Sequence, residues 1–205
     1  MLSPTLLTLF VLSTFTLCPP STTAQPVLDM DGEVAENGGT FYILPVIRGS
    51  GGGIEQAATG NETCALSVVQ TRNEVSKGKP VTITSPFKSL FIPQGRVSVG
   101  FIAVPTCAST PSTWTVVEGL SEGSAVKITG YDNTLSGGFI IEQGGSIDYS
   151  YKLSFCASDT SVCQPIGTSS DGHGNKPLVL TDGNPFEFVL QKVSSSSSSA
   201  CIASA

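Results

Sequence analysis

The chain has 205 residues, a formal net charge of −6, only 13% charged residues, 22 Gly and 13 Pro. An acidic balance without a basic stripe or an aromatic-interleaved Lys/Arg patch argues against nucleic acid as a partner. So many turn formers, with no long amphipathic helical pattern, predict an all-β chain of short strands.

Residues 1–24 read as a secretory signal peptide. The apolar run 6–17 is too short to span a bilayer, and Thr22 and Ala24 occupy the small-residue positions of a cleavage site before Gln25. No later segment reads as a membrane span, so delivery to the extracellular space or the vacuole is expected. Residues 25–193 suit one domain with a single core. The run of six Ser from Ser194 opens a tail, 194–205, whose composition cannot bury a core.

Within the domain, short apolar runs recur in three thirds. The first third holds TFYIL (40–44), LSVVQ (66–70), PVTIT (80–84) and LFIPQ (90–94). The second holds VSVGF (97–101), WTVVE (114–118), AVKIT (125–129) and FIIEQ (139–143). The third holds YKLSF (151–155), a degenerate run at 166–169, PLVLT (177–181) and FEFVLQ (186–191). Aligning PVTIT with AVKIT and PLVLT gives twelve strands in three repeats of roughly fifty residues, too few units for an ordinary propeller. Closing them as a six-stranded barrel capped by three hairpins removes open edges and buries the alternating face, so a β-trefoil is predicted.

One connection stands out. Between the runs ending at Thr84 and starting at Leu90, Pro86 fixes its own φ, removes a donor and pushes Ser85 towards extended geometry. The result is an exposed extended loop with Lys88 at its crest. A trypsin-like protease binds that shape as substrate.

Cys18 departs with the signal, leaving Cys64, Cys107, Cys156, Cys163 and Cys201. Four of these can pair in three ways; proximity favours Cys156 with Cys163 and hence Cys64 with Cys107, without deciding it. Zinc is disfavoured by the absence of CxxC spacing and the presence of only one His. That residue, His173, lies in SSDGHGN, a surface turn, and no GxSxG elbow accompanies it. The acidic pairs Asp29/Asp31 and Glu118/Glu122 fall in turns rather than across a cleft. RGSGGG (48–53) lacks a following helix and a GK[ST] ending, so it reads as a flexible loop. Asn61-Glu62-Thr63 is the one NxT sequon, an expected glycan site. Trp114 reads as core. Neither an enzyme nor a metal or other cofactor is expected.

Over nearly its whole mature length the chain resembles the plant Kunitz-type (soybean trypsin inhibitor) family. The resemblance rests on VLDMDGEVAENGGTFYILP (27–45), GNETC (60–64), LSVVQTRNE (66–74), SPFKSLF (85–91), STWTVVEG (112–119), AVKI (125–128) and YKLSFC (151–156). It implies a β-trefoil with disulfides Cys64–Cys107 and Cys156–Cys163. It also implies a secreted serine-protease inhibitor with Lys88 as primary specificity residue and Lys88–Ser89 as scissile bond; a monomer is expected. Ser85, Pro86, Phe87, Ser89 and Leu90 would flank it, and the Asn37 amide would brace the loop from within. The implied partner is a trypsin-like protease of plant, herbivore or pathogen. The alternatives are a non-inhibitory storage or recognition protein, or an inhibitor of another hydrolase class.

Overall fold

The computed structural model describes residues 25–108, 112–121, 123–128, 131–160 and 162–194. The predicted signal peptide, Glu122, Cys201 and the predicted tail beyond Ser194 lie outside the described residues.

In chain order the strands are Thr40–Pro45 (β1), Ile54–Ala57 (β2), Ser67–Gln70 (β3), Val81–Thr84 (β4), Gly95–Phe101 (β5), Trp114–Leu120 (β6), Gly123–Ile128 (β7), Thr134–Leu135 (β8), Gly137–Gln143 (β9), Tyr151–Ala157 (β10), Cys163–Thr168 (β11), Lys176–Leu180 (β12) and Glu187–Lys192 (β13). Six of them close a ring by antiparallel pairing. β1 joins β4, β4 joins β5, β5 joins β9, β9 joins β10, β10 joins β13, and β13 returns to β1. Closure leaves no barrel edge without a hydrogen-bonded neighbour. The hairpins β2/β3, β6/β7 and β11/β12 cap one end, and β3, β7 and β12 pair with one another around the pseudo-threefold axis. The chain is therefore a β-trefoil, its units being β1–β4, β5–β9 and β10–β13.

The period of two in sequence becomes burial. Phe41 and Ile43 of β1, Val81 and Ile83 of β4, Val97, Val99 and Phe101 of β5, and Phe139 and Ile141 of β9 all point inward. Leu153 and Phe155 of β10 and Phe188 and Leu190 of β13 complete the barrel interior. Trp114, 3% exposed, packs between Phe101 and Phe139 at centroid distances of 5.5 and 6.5 Å.

The repeat reading and the glycine-rich segment need correction. LFIPQ is not a regular strand: it makes only isolated bridges, Glu36 with Phe91 and Pro26 with Pro93, because Pro93 cannot donate to a ladder. β2, absent from the sequence reading, takes the vacant place in the first unit. The first-third alignment therefore slips by one strand: PVTIT forms barrel strand β4, whereas AVKIT and PLVLT form cap strands β7 and β12. The thirteenth strand, β8, is a two-residue piece beside β6. Finally, RGSGGG is a loop, exposed at Arg48 and Gly49, but its last glycines are packed into the protein. Gly51, Gly52 and Gly53 are buried, and a Cβ on Gly52 or Gly53 would overlap the carbonyl oxygens of Asn73 or Lys77. Glycine is required there by close backbone approach.

The disulfides are Cys64–Cys107 and Cys156–Cys163, the latter linking register partners on β10 and β11. By chain entropy the 43-residue separation of the first contributes roughly 4 kcal/mol.

Near Cys64 the sequence hides a polar core. Lys127 on β7 is 1% exposed, and its Nζ lies 3.0 Å from Glu62 Oε1, 3.0 Å from Thr59 Oγ1 and 2.7 Å from Ser67 Oγ. Ser67 Oγ and the Thr59 amide donate to the other carboxylate oxygen of Glu62 at 2.7 and 2.8 Å, and the Tyr131 hydroxyl donates to Oε1. Burial works to raise the Glu62 pKa, but the bonds from Tyr131, Thr59, Ser67 and Lys127 together hold it below the ordinary 4.5. A folded value below the unfolded one stabilises the protein above about pH 4.5 and loses that contribution as pH falls through the lowered value. Glu62→Gln leaves the Lys127 charge buried without a counter-charge, at an expected cost of about 3–5 kcal/mol. Urea titrations should show that loss at pH 7, and the gap between wild type and variant should narrow on acidification below pH 4.5.

Candidate functional site

The segment that leaves the barrel between β4 and β5 begins Ser85-Pro86-Phe87-Lys88-Ser89-Leu90. It joins the first unit to the second, and does not lie within the first. Phe87 is 62% exposed and Leu90 92%, and Lys88 projects into solvent. Among the described residues nothing bonds the Lys88 side chain. The loop's backbone, by contrast, is held closely.

Asn37 supplies most of the holding. Its Oδ1 accepts the Ser85 amide at 2.7 Å, and its Nδ2 donates to Ser89 O at 3.0 Å and to Phe87 O at 3.4 Å. Its own backbone N–H donates to Leu90 O at 3.0 Å. One residue thus ties four positions of the loop, and the two carbonyls that share Nδ2 bracket Lys88. Local bonds tighten the crest: Ser89 N–H reaches Phe87 O at 2.9 Å across Lys88, a three-residue turn. Ser85 Oγ accepts from Phe87 N–H at 3.2 Å, and Ser89 Oγ from Phe91 N–H at 3.3 Å.

The sequence around Asn37 explains its position. Val27 N–H bonds Ile92 O, Ala35 N–H bonds Val27 O, and Ile92 N–H bonds Ala35 O, each within 2.8–2.9 Å. These bonds stitch the N-terminal segment to the chain just beyond the loop. Gly38, at φ +81°, reverses direction while its N–H bonds Ile83 O. Gly39 then donates to Glu36 O, and a Cβ there would press on that oxygen and on the Phe41 ring at 2.9 Å. The ENGGT string therefore anchors Asn37 between core strand and loop.

Other sequence candidates lie apart from the loop. His173 is exposed in a turn shaped by Asp171, whose Oδ1 accepts the His173 and Asn175 amides at 2.9 Å. Asp29 is buried and its Oδ1 accepts the amides of Asp31 and Glu33, so Asp29 and Asp31 close a turn and do not face a cleft. Asn61 is exposed on a turn next to the inward-facing Glu62. The Glu62–Lys127 pair was not read from the sequence, because its partners are scattered and Lys is ordinarily a surface residue.

Fold and loop together define a class: β-trefoil proteins that display a braced, extended, solvent-facing loop. A family model described as trypsin and protease inhibitor, Kunitz legume, matches residues 27–192. Trypsin inhibitor 1B of Erythrina variegata is 45% identical over 83% of this chain and 99% of its own. Chymotrypsin inhibitor ECI of the same plant is 46% identical over 84% and 99%. A chain in the solved complex of porcine pancreatic trypsin with soybean trypsin inhibitor superposes with a TM-score of 0.76 at 41% identity, covering 83% of this chain and 100% of that one. The chain belongs to the Kunitz legume inhibitor family, a family of inhibitors and not of enzymes.

Removing the Asn37 side chain deletes three bonds to the loop and none to the core. For Asn37→Ala we expect amide exchange at Ser85 to speed up by about tenfold to a hundredfold, the equivalent of one or two net hydrogen bonds. Thermal unfolding should shift by only a few degrees. Hydrogen-exchange mass spectrometry beside calorimetry measures both.

Proposed function

We propose that this chain is a secreted inhibitor of trypsin-like serine proteases, acting substrate-like through the Lys88–Ser89 bond. The observation that carries the reading is the Asn37 clamp: the backbone on both sides of Lys88 is fixed while its ammonium is left free. A basic side chain suits a primary pocket with an acid at its base. A loop already in its bound shape loses little entropy on docking, and a nicked bond whose ends stay in place favours religation over release. Interfaces of ordinary size then suffice for tight binding.

Ser85, Pro86, Phe87, Ser89 and Leu90 are assigned as flanking contacts. Delivery through the secretory pathway, with residues 25–193 as the inhibitor domain and a glycan on Asn61, belongs to the same reading. It is supported by the two disulfides and by the exposure of Asn61. Relatives carrying trypsin and chymotrypsin inhibitor names support protease inhibition in general, and Lys88 selects the trypsin-like side of it.

Titration of trypsin with the mature protein should give a stoichiometric, slowly cleaved complex. Lys88→Ala should weaken inhibition by at least roughly a hundredfold, about 2.7 kcal/mol, as for a central anchor residue. Equal potency of the two proteins, or rapid complete cleavage after Lys88 by wild type, would sink the reading in favour of a storage or recognition role.

A further inference from the structure

Beside the loop's N-terminal shoulder lies an open groove of about 380 Å³, lined by Ser85 and Pro86 of the loop itself and by Arg96 of β5. Trp114, Phe139 and Phe155 form its apolar floor. The strand period sets the direction of Arg96. Val97 and Val99 enter the barrel, so Arg96 and Ser98 face out. Ser98 pairs with Thr84, the last residue of β4, which places Arg96 two residues further along, beside the point where the chain departs into Ser85 and Pro86.

Among the described residues Arg96 forms no hydrogen bond or ion pair through its side chain. Lys127 pairs with Glu62, Lys152 with Glu142 and Lys192 with Glu36, and no ion pair among the described residues involves Arg96. Its stem passes over Gly138, where a Cβ would lie 4.0 Å from Arg96 Cδ, so no neighbouring side chain at that position can hold the guanidinium. A guanidinium without a partner among the described residues, in a chain of net charge −6, therefore stands on the same outward surface as the loop.

We propose that Arg96 is a second anchor for the protease held by the loop, pairing with a carboxylate on the enzyme's rim next to its substrate cleft. The groove shares Ser85 and Pro86 with the loop, so it adjoins an enzyme seated on Lys88. A guanidinium offers a planar fork that matches a carboxylate, and its charge acts during approach as well as in the complex. The inference rests on the loop being the protease-binding element.

The test is stopped-flow association of trypsin with wild type, Arg96→Glu, Arg96→Lys and Lys88→Ala at low salt and at about 0.5 M salt, where charges more than a few Å apart are screened. Arg96→Glu should slow association about tenfold at low salt, Arg96→Lys should retain most of the rate, and the differences should shrink in high salt. Wild type and Arg96→Glu associating equally while Lys88→Ala fails to inhibit would overturn this inference alone. A salt-independent loss would also overturn it, since a steric effect would then explain the variant. Absence of inhibition by wild type would remove the functional reading and this inference with it.

Discussion

The shape of the exposed loop depends on a single carboxamide, that of Asn37, standing between a closed barrel and that loop. An amide is suited to the position because it is donor and acceptor at once. Its oxygen takes the Ser85 amide on one side, and its nitrogen reaches the carbonyls flanking Lys88 on the other. Carboxylate would repel those carbonyls, and an apolar group would leave Ser85 N–H and Ser89 O to water. The bonds span about fifty residues of sequence, so loop shape is set by the fold and not by local turn preference alone.

That dependence passes inward. Asn37 is fixed because the N-terminal segment is hydrogen-bonded to Ile92 and because Gly38 and Gly39 bring the backbone against Ile83 and Phe41. Ile83 and Phe41 are buried in strands whose ring is closed. A closed barrel resists shear because moving one strand requires breaking ladders on both sides. The loop thus inherits its stiffness from barrel closure, while the cap holds the other end through Cys64–Cys107 and the Lys127–Glu62 cluster. Burying Lys127 is costly, and it is tolerated because hydroxyls and a carboxylate satisfy its ammonium.

Alternation made most barrel strands and the inward residues legible in the sequence, since a half-buried strand writes its burial as a period of two. Pro86 marked the loop. β2 was missed because IEQA carries one apolar anchor and follows a glycine run, which composition alone assigns to solvent. Its glycines are instead imposed by the carbonyls of Asn73 and Lys77, a tertiary constraint without a local signature. LFIPQ misled in the opposite sense: an apolar run that packs against the N-terminal segment by isolated bridges has strand composition without a ladder. The slip in the first repeat followed from those two errors together. Asn37 itself was legible only through resemblance, because no pattern in ENGGT says what its amide will face.

The division between held and free atoms also bears on selectivity. Backbone atoms of the loop are tied, whereas Phe87, Lys88 and Leu90 extend side chains that touch little of their own protein. On the proposed reading, the clamp is indifferent to which side chains it displays, because every bond it makes is to backbone. Target choice then resides in the loop's exposed side chains, Pro86, Phe87, Lys88 and Leu90, and in Arg96, while the cost of ordering the loop has been met by folding. Relatives named for trypsin and for chymotrypsin on one scaffold are consistent with that separation. Leu90, 92% exposed beside the Lys88–Ser89 bond, adds apolar area that only an enzyme with a complementary apolar contact removes from water. A scaffold that fixes geometry through one amide leaves chemistry to the crest, and substitution at the crest can redirect the loop without disturbing what holds it.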